Sequence, residues 1–576
     1  DYNLTPWANI STLIGSNVHN LQRREIIEIG SRAAQGLGAL TLDNYRRQEI
    51  ESTTLLTLTP TITEDFTING LIGFNYNQRT VTRNVDLGNQ FNIRGIHTLN
   101  NTIQKDFLLD SYSRRRIMGI LGEATFGYKN YAFVTLTGRN DWSSTLPVNN
   151  RSYFYPAVSA SLIFTDAFKL ESNILDYGKL RGSYAKVGRD ANPYSLENYF
   201  SLGSPYLGQT TASSPTTSNN ADLKPEFTRE FEIGTELSFF SNRINLDVAL
   251  YDKKSTNLIL AVPTAASSGF AASYTNVGTI SNKGVEVELS LKAVRNPNFT
   301  YTISGAFAHN VNMVEEILPG VERIDLGGVL TTLSTYGEAG FPYGYLRGER
   351  TARDANGNFL INPANGTLIT STEQGYIGNP NPRAKLGITN AITYKGFVLS
   401  ALVDMTFGGS ISSETVTNLL GRGVTRDTED RGTSWVIPGV YGDPNTGLPI
   451  LDGNGNTIPN VTRVPTNDLY FASDGNSATF GINGASEWGV YDASVYRLRE
   501  ITVGYALPKK LYQNLPIGSV SLSVTGRNLF YYAPGMPKYT RFDPEVNSLG
   551  STSIQGIELS GAPTVKRYGI NLNVTF

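Results

Sequence analysis

The last thirteen residues constrain this chain more than any other feature. In Thr564–Phe576, Tyr568, Ile570, Leu572, Val574 and Phe576 are apolar. The intervening Arg567, Gly569, Asn571, Asn573 and Thr575 are small or polar. Strict period-two alternation predicts a strand with one apolar and one wet face, running to the final residue. A soluble sandwich strand has the same pattern in isolation. A terminal strand closing on Phe576, with Val574 and Leu572 behind it, also resembles the signal read by the outer-membrane assembly machinery, which favours a barrel.

The pattern recurs along the chain. Phe66, Ile68, Ile72, Phe74 and Tyr76 flank Asn69, Gly73 and Asn75, and Ile244, Leu246, Val248 and Leu250 flank Asn245, Asp247 and Ala249. Val285, Val287, Leu289 and Leu291 alternate with Glu286, Glu288 and Ser290. The runs Leu386–Tyr394 and Ile501–Leu507 repeat it. A lipid-facing row opposite a polar row is what a water-containing membrane barrel requires, and charges such as Glu286 and Glu288 belong on its wet side. Composition agrees: over 576 residues charged residues are only 17%, while aromatics reach 11%, with 31 Tyr and 57 Gly. The net charge of −2 offers no basic field for nucleic acid. With no cysteine, disulfide and thiolate-metal frameworks are excluded. No apolar run is long enough for a transmembrane helix. The chain opens on Asp1 without a signal peptide, as expected of a mature or truncated product.

Connections alternate in length. Short turns are expected at Pro60–Glu64, Lys129–Asn130, Ser241–Asn242, Asn296–Asn298, Lys395–Gly396 and Pro508–Ile517. Long Gly-, Pro-, Asn- and Ser-rich segments are expected at Asp190–Phe227, Asn257–Thr279, Glu315–Arg383, Gly409–Ala493 and Ala533–Pro563. Short periplasmic turns and long outer loops are the outer-membrane pattern. Counting back from Phe576 gives about 15 strands from Leu40 onward, with Trp7–Ile14 as a sixteenth. Gly340–Thr351 also reads as a strand and breaks the parity. Either it belongs to an outer loop or a partner strand lies in Gly366–Ile377.

Several stretches resemble importers of the SusC/RagA kind. They are GRNDWSSTLP (Gly138–Pro147) with FYPAVSASLIF (Phe154–Phe164), LKPEFTREFEIGTELSFF (Leu223–Phe240) with Asn242–Leu260, and TNVGTISNKGVEVELSL (Thr275–Leu291), the most specific. IGNPNPRAKLGITN (Ile377–Asn390), YRLREITVGYALPKKL (Tyr496–Leu511), GRNLF (Gly526–Phe530) and FDPEV (Phe542–Val546) follow in family order. The resemblance implies an all-β, 22-stranded transmembrane antiparallel barrel in the outer membrane of a Gram-negative, Bacteroidota-like cell. It also implies a plug that meets TonB, a preceding small domain and a SusD-like surface lipoprotein acting as a lid. No plug, TonB box or N-terminal extension is recognisable, so residues 1–576 are expected to be the C-terminal part of such a barrel, about 16 of its strands. The implied function is TonB-driven import of a large nutrient, a glycan or a peptide. A structural subunit of a larger envelope complex and a passive porin are the alternatives.

Candidate chemistry is sparse. His19, His97 and His309 lack zinc-ligand spacing, and no GxSxG occurs, so neither a metal, a cofactor nor an enzyme is expected. DANGN (Asp354–Asn358) and DGNGN (Asp452–Asn456) space oxygens as a calcium loop begins, but lack the closing Glu, and Asp-Gly and Asn-Gly are ordinary turn formers. The carboxylates of FDPEV read as a loop-ordering element rather than a catalytic dyad. The loop Gly409–Ala493 gathers Trp435, Tyr441, Tyr470, Phe471, Trp488 and Tyr491, whose rings suit sugar or peptide contact or loop packing. Tyr128, Tyr131, Tyr153, Phe164 and Tyr394 are expected in interfacial girdles beside the lipid.

Overall fold

The computed structural model describes residues 1–330, 332–471, 480, 484–548 and 554–576. The strands of its large sheet that exceed eight residues are β1 (Ala8–Ile27), β2 (Ala39–Leu58), β3 (Phe66–Phe91), β4 (Thr102–Tyr128), β5 (Ala132–Ser143), β6 (Ser152–Ile163), β7 (Leu175–Arg189), β8 (Glu226–Phe239), β9 (Ile244–Pro263), β10 (Ala272–Arg295), β11 (Phe299–Glu316), β12 (Ala384–Tyr394), β13 (Phe397–Phe407), β14 (Val495–Ala506), β15 (Ser519–Tyr532) and β16 (Arg567–Thr575). Their number matches the expected count. The chain forms two compact units. One comprises Asp1–Ala167, Arg181–Phe231 and Ser255–Val277, the other Phe168–Leu180, Glu232–Lys254 and Gly278–Phe576.

In the first unit β1 to β6 form an antiparallel meander, each strand paired with the next. Register fixes the two faces. Thr53, Asn75, Gly119, Asp141 and Tyr153 lie directly opposite one another across β2 to β6. Asn75, Asp141 and Tyr153 are buried in this row. Gly119 is required there, since a Cβ would fall 2.3 Å from Asp141 Oδ1. One residue along, Ile72, Phe74, Ile120, Leu136 and Phe154 point the other way and are exposed. Exposed apolar rows on a sheet whose opposite face is polar and tightly bonded are the reverse of a soluble protein and suit lipid.

In the second unit β11 to β16, together with β10 from Gly278 onward, repeat the design. Leu399, Val503, Val524 and Ile570 share one face in register, and Ser400, Thr502, Thr525 and Gly569 the other. The terminal strand carries Tyr568, Ile570 and Leu572 exposed on the apolar face, and Phe576 beyond it is exposed as well.

The turns Lys129–Asn130 and Lys395–Gly396 both hold two residues at positive φ (49° and 59°, 45° and 91°), the two-residue geometry that matches strand twist. Aromatic rings gather beside each. Tyr128 lies 4.8 Å from Phe66 and 5.5 Å from Tyr131, with the Lys129 amine over its face. At the second turn Phe397 meets Tyr505 at 4.4 Å, and Lys395 covers Tyr394. Ring clusters of this kind, each with a lysine over a ring face beside a short turn, are the arrangement an interfacial girdle calls for. Tyr153 is a correction to that expectation: it faces the polar side and packs with Leu146, Ala191 and Leu223. Its parity in β6 forces this, because Phe154 takes the outward position.

Two further expectations change. The loop at Asn257–Thr279 shrinks to residues 264–271, because β9 and β10 continue as ladder beyond the apolar band. Gly340–Thr351 contributes Tyr345–Gly348 to a separate four-stranded sheet with Arg323–Leu330, Leu333–Glu338 and Gly375–Gly378. It therefore belongs to a loop and also has its partner at the end of Gly366–Ile377, and the parity of the large sheet is preserved. The buried apolar clusters lie in the connections or where a connection packs on a strand, as at Tyr153, and one of them is built from Ile411, Val416, Leu420, Met536 and Phe542.

Candidate functional site

The long connections are fastened by buried carboxylates. In the first unit, Asp190 follows β7 and is 6% exposed. Arg115 Nε donates to it at 2.8 Å, Thr145 Oγ1 at 2.8 Å, and Ser143 also donates. Burial alone would raise the Asp190 carboxyl, but the Arg115 and Ser143 hydrogen bonds outweigh it and hold it below the ordinary carboxylate range. Below this, Arg139 Nε donates to Asp141 at 2.8 Å, Tyr155 donates to the same carboxylate, and Asn75 donates to Glu51 and Thr53. Asn276, from the TNVG motif, accepts from Lys224 N at 2.8 Å and donates to Lys224 O at 2.7 Å. The LKPEF and TNVG stretches are thus two halves of one tether.

In the second unit a β-bulge performs the same task. Leu498 pairs with Val403 and Glu500 with Leu402, leaving Arg499 as the extra residue. Arg497, Arg499 and Glu500 consequently all address the polar side, while Leu498 and Ile501 remain on the apolar side. Arg497, 1% exposed, donates to both oxygens of Asp543 at 2.8 and 2.7 Å. Arg499 donates to Glu545 at 2.9 and 2.8 Å and to Asp404 at 2.7 Å. Two arginines two residues apart thereby engage the two carboxylates of FDPEV. Both carboxylates are saturated by guanidinium, which suits an ordering element and leaves no free acid–base pair. Farther along the connection, Glu558 accepts from Ser413 and Thr415 at the start of the helix Glu414–Gly421. A cavity of about 540 Å³ borders the clamp, lined by Lys385, Asp404, Arg497, Arg499 and Glu545 on one part and by apolar residues such as Leu386, Met405 and Ile411 on another.

The six loop aromatics divide in two. Tyr470 and Phe471 adjoin, and Tyr470, Phe480 and Trp488 form a chain with centroids 5.5 and 4.9 Å apart, which Phe359 extends. Trp488 Nε1 donates to Thr351 at 2.8 Å. Burial pushes the Tyr491 hydroxyl up to about 12. Tyr441 bonds Thr462 at 2.9 Å. Trp435 also bonds Thr466, but its ring remains 50% exposed. Five rings are structural members of the folded loop, and Trp435 is the one presented to solvent.

The Asp354 and Asp452 carboxylates are engaged by their own turns. Asp354 Oδ1 accepts from the backbone N of Asn356 and Asn358, and Asp452 Oδ1 from Asn454 and Asn456. The Asn358 side chain and these backbone N–H groups hold Asp354 below its ordinary range. The oxygens point at donors, as turn formers do. No group of three or more potential metal ligands occurs among the described residues. His97 pairs with Glu28, and His309 contacts the Arg383 carbonyl.

Residues 2–529 match the family described as TonB dependent receptor-like, beta-barrel. The chain belongs to this family. It is 26% identical over 487 residues to TonB-dependent receptor P3 of Formosa agariphila, a match covering 80% of this chain and 45% of that protein. It is 22% identical over 493 residues to TonB-dependent receptor SusC of Bacteroides thetaiotaomicron, covering 81% and 44%. Among solved structures, the RagAB peptide transporter shares the fold with a TM-score of 0.74 at 18% identity, covering 99% of this chain and 60% of that one. The chain thus spans about half the length of the curated relatives it matches, and as a member of this family it is an outer-membrane barrel chain. The ordered motifs of the sequence agree with this assignment.

Proposed function

We propose that this chain is the C-terminal part of the barrel of a TonB-dependent importer for a large nutrient, a glycan or a peptide. A SusD-like lipoprotein covers its outer loops, and TonB acts through a plug supplied by another part of the protein. Its role is binding and gating without covalent chemistry. The observation that carries this reading is the polar wall beneath loops held rigid by arginine–carboxylate clamps. Such a wall is polar and preorganised, and the two carboxylates of FDPEV in it are held by guanidinium groups. Trp435, the exposed ring of the six, is the foremost contact for a sugar or peptide; Tyr441, Tyr470, Phe471, Trp488 and Tyr491 shape the surface behind it. Leu572, Val574 and Phe576 serve as the assembly signal. The test is uptake of labelled oligosaccharide and peptide pools by cells carrying the full-length protein, with and without functional TonB. Accumulation that vanishes without TonB supports import. Passage that persists identifies a passive pore, and no passage at all returns the protein to a structural role.

A further inference from the structure

On β4 three arginines are consecutive, Arg114, Arg115 and Arg116. The strand divides them. Arg115 turns to the polar side and binds Asp190, whereas Arg114 and Arg116 are exposed on the lipid-side face with Met118 and Ile120. Register places Arg114 opposite Thr80, Arg116 opposite Gln78, and Arg46 opposite Thr82 on the same face. Residues two apart on a strand are separated by roughly 6.6 Å and adjacent strands by about 4.8 Å, so Arg114 and Arg116 start about 7 Å apart and Arg46, two strands over, about 12 Å from Arg114 and about 16 Å from Arg116, in one elongated patch that long side chains can close on from both ends.

The collar of this patch is neutral. Gln48, Gln78, Thr80 and Thr82 surround it. Arg116 Nε donates to Gln78 Oε1 at 2.7 Å. Among the described residues none of the three arginines pairs with a carboxylate. Asp110, farther along the same face of β4, accepts from Asn84. The inner arginines are different: Arg47, Arg79, Arg115 and Arg139 each meet an acid.

Height is set by strand length. The outward row from Tyr128 to Met118 and that from Phe66 to Tyr76 each fill the roughly 9–11 residues that a tilted strand needs to cross the hydrocarbon. Arg116 and Gln78 are the next outward positions, at the end opposite the Lys129–Asn130 turn. That end is the outer leaflet, because the short turns face the periplasm.

We propose that Arg46, Arg114 and Arg116 form a binding site for the phosphorylated headgroup of an outer-leaflet glycolipid. Unpaired guanidiniums at headgroup height recognise phosphate by charge-assisted hydrogen bonds, while the acyl chains lie along Met118, Ile120 and Phe74. The site concerns the membrane-facing wall and is independent of what is imported.

The test is native mass spectrometry of the full-length protein released from micelles doped with diphosphoryl lipid A. The expected result is a retained lipid adduct that falls at least about tenfold in R46Q/R114Q/R116Q, persists in the inner-face variant R47Q, and is not seen with the dephosphorylated lipid. Heat-modifiable gel migration reports folding of each variant, and R114Q/R116Q is the substitute should the triple variant not fold. Undiminished retention in the folded variant, or equal retention of the dephosphorylated lipid, overturns the site. Displacement by millimolar inorganic phosphate assigns the patch to a free anion and overturns the lipid assignment.

Discussion

Arg497 and Asp543 form a two-bonded ion pair across 46 residues of sequence, and the two side chains are only 1% and 3% exposed. Such a pair is worth little against an apolar substitute, but removing one partner strands a buried charge at a cost of roughly 3–5 kcal/mol. Arg497→Met is therefore expected to loosen the last outer loop sharply, seen as new protease cuts within 533–566. Arg499→Met, at a more exposed clamp, is expected to do so much less. Equal effects of the two would contradict the burial argument.

The same pair has a pH signature. Burial raises Asp543, and its bonds from Arg497 and Thr564 more than reverse this, so the folded carboxyl lies below its ordinary value of 3.8. A depressed carboxyl contributes stability that is complete above the ordinary value and is lost as pH falls through the folded one. Loop protection is expected to be flat from neutral pH down to about 5 and to fail only under stronger acid. Hydrogen exchange in 533–548 measures it, and a loss near pH 6–7 would rule the clamp out as its cause.

Asn276 both donates to and accepts from Lys224, and it donates in addition to the Asn257 carbonyl. Asn276→Asp keeps the acceptor and loses the donor, so it is expected to be nearly as damaging as Asn276→Ala, about 1–3 kcal/mol for the orphaned groups. The readout is the thermal midpoint of the heat-modifiable gel shift. Full stability in the Asp variant would show that the donor half is dispensable.

Face assignment makes a sharp contrast between neighbours. Ile120→Arg puts a charge on the apolar row and is expected to cost about 2–4 kcal/mol. Leu121→Arg, one residue along on the wet face, is expected to be tolerated far better. Unfolding in urea from lipid vesicles compares them; a reversed order would invert the two faces.

The loop rings separate binding from architecture. Trp435→Ala is expected to weaken substrate retention by the full-length protein while leaving its melting unchanged. Trp488→Ala removes a ring packed between Phe359 and Phe480 and is expected to destabilise the fold by about 3–5 kcal/mol. Unaltered retention in Trp435→Ala would remove that ring from the substrate surface.

What was legible in the sequence follows from the range of each interaction. Alternation is written residue by residue, so the faces of β3, β10, β12, β14 and β16 and the turns at Lys129 and Lys395 could be read directly. Tyr153 was misread because its neighbour Phe154 is an equally good girdle residue, and only pairing with β5 shows which one faces outward. The clamps were invisible because Arg497 and Asp543, or Asn276 and Lys224, come together only after the loops fold. One local sign existed: in Arg497–Leu498–Arg499–Glu500 two charged residues in succession interrupt the alternation, as a bulge does. The loop rings could not be sorted into packed and exposed, since aromatic composition is the same for both purposes.

That bulge has a consequence for insertion and deletion. Elsewhere in β14 the loss of one residue would turn every side chain beyond it to the opposite face, driving Thr502 toward the hydrocarbon and Val503 toward water. Arg499 is already the unmatched residue between Leu498 and Glu500, opposite the adjacent pair Val403 and Leu402. Excising it alone would restore an uninterrupted ladder with β13 and keep the orientation of every other member of the strand, while on the β15 side it would leave both Asn528 and Leu529 unmatched between Arg527 and Phe530. The strand therefore carries a single position where the chain can be shortened without changing its phase, and the grip on Glu545 is what such a shortening would surrender.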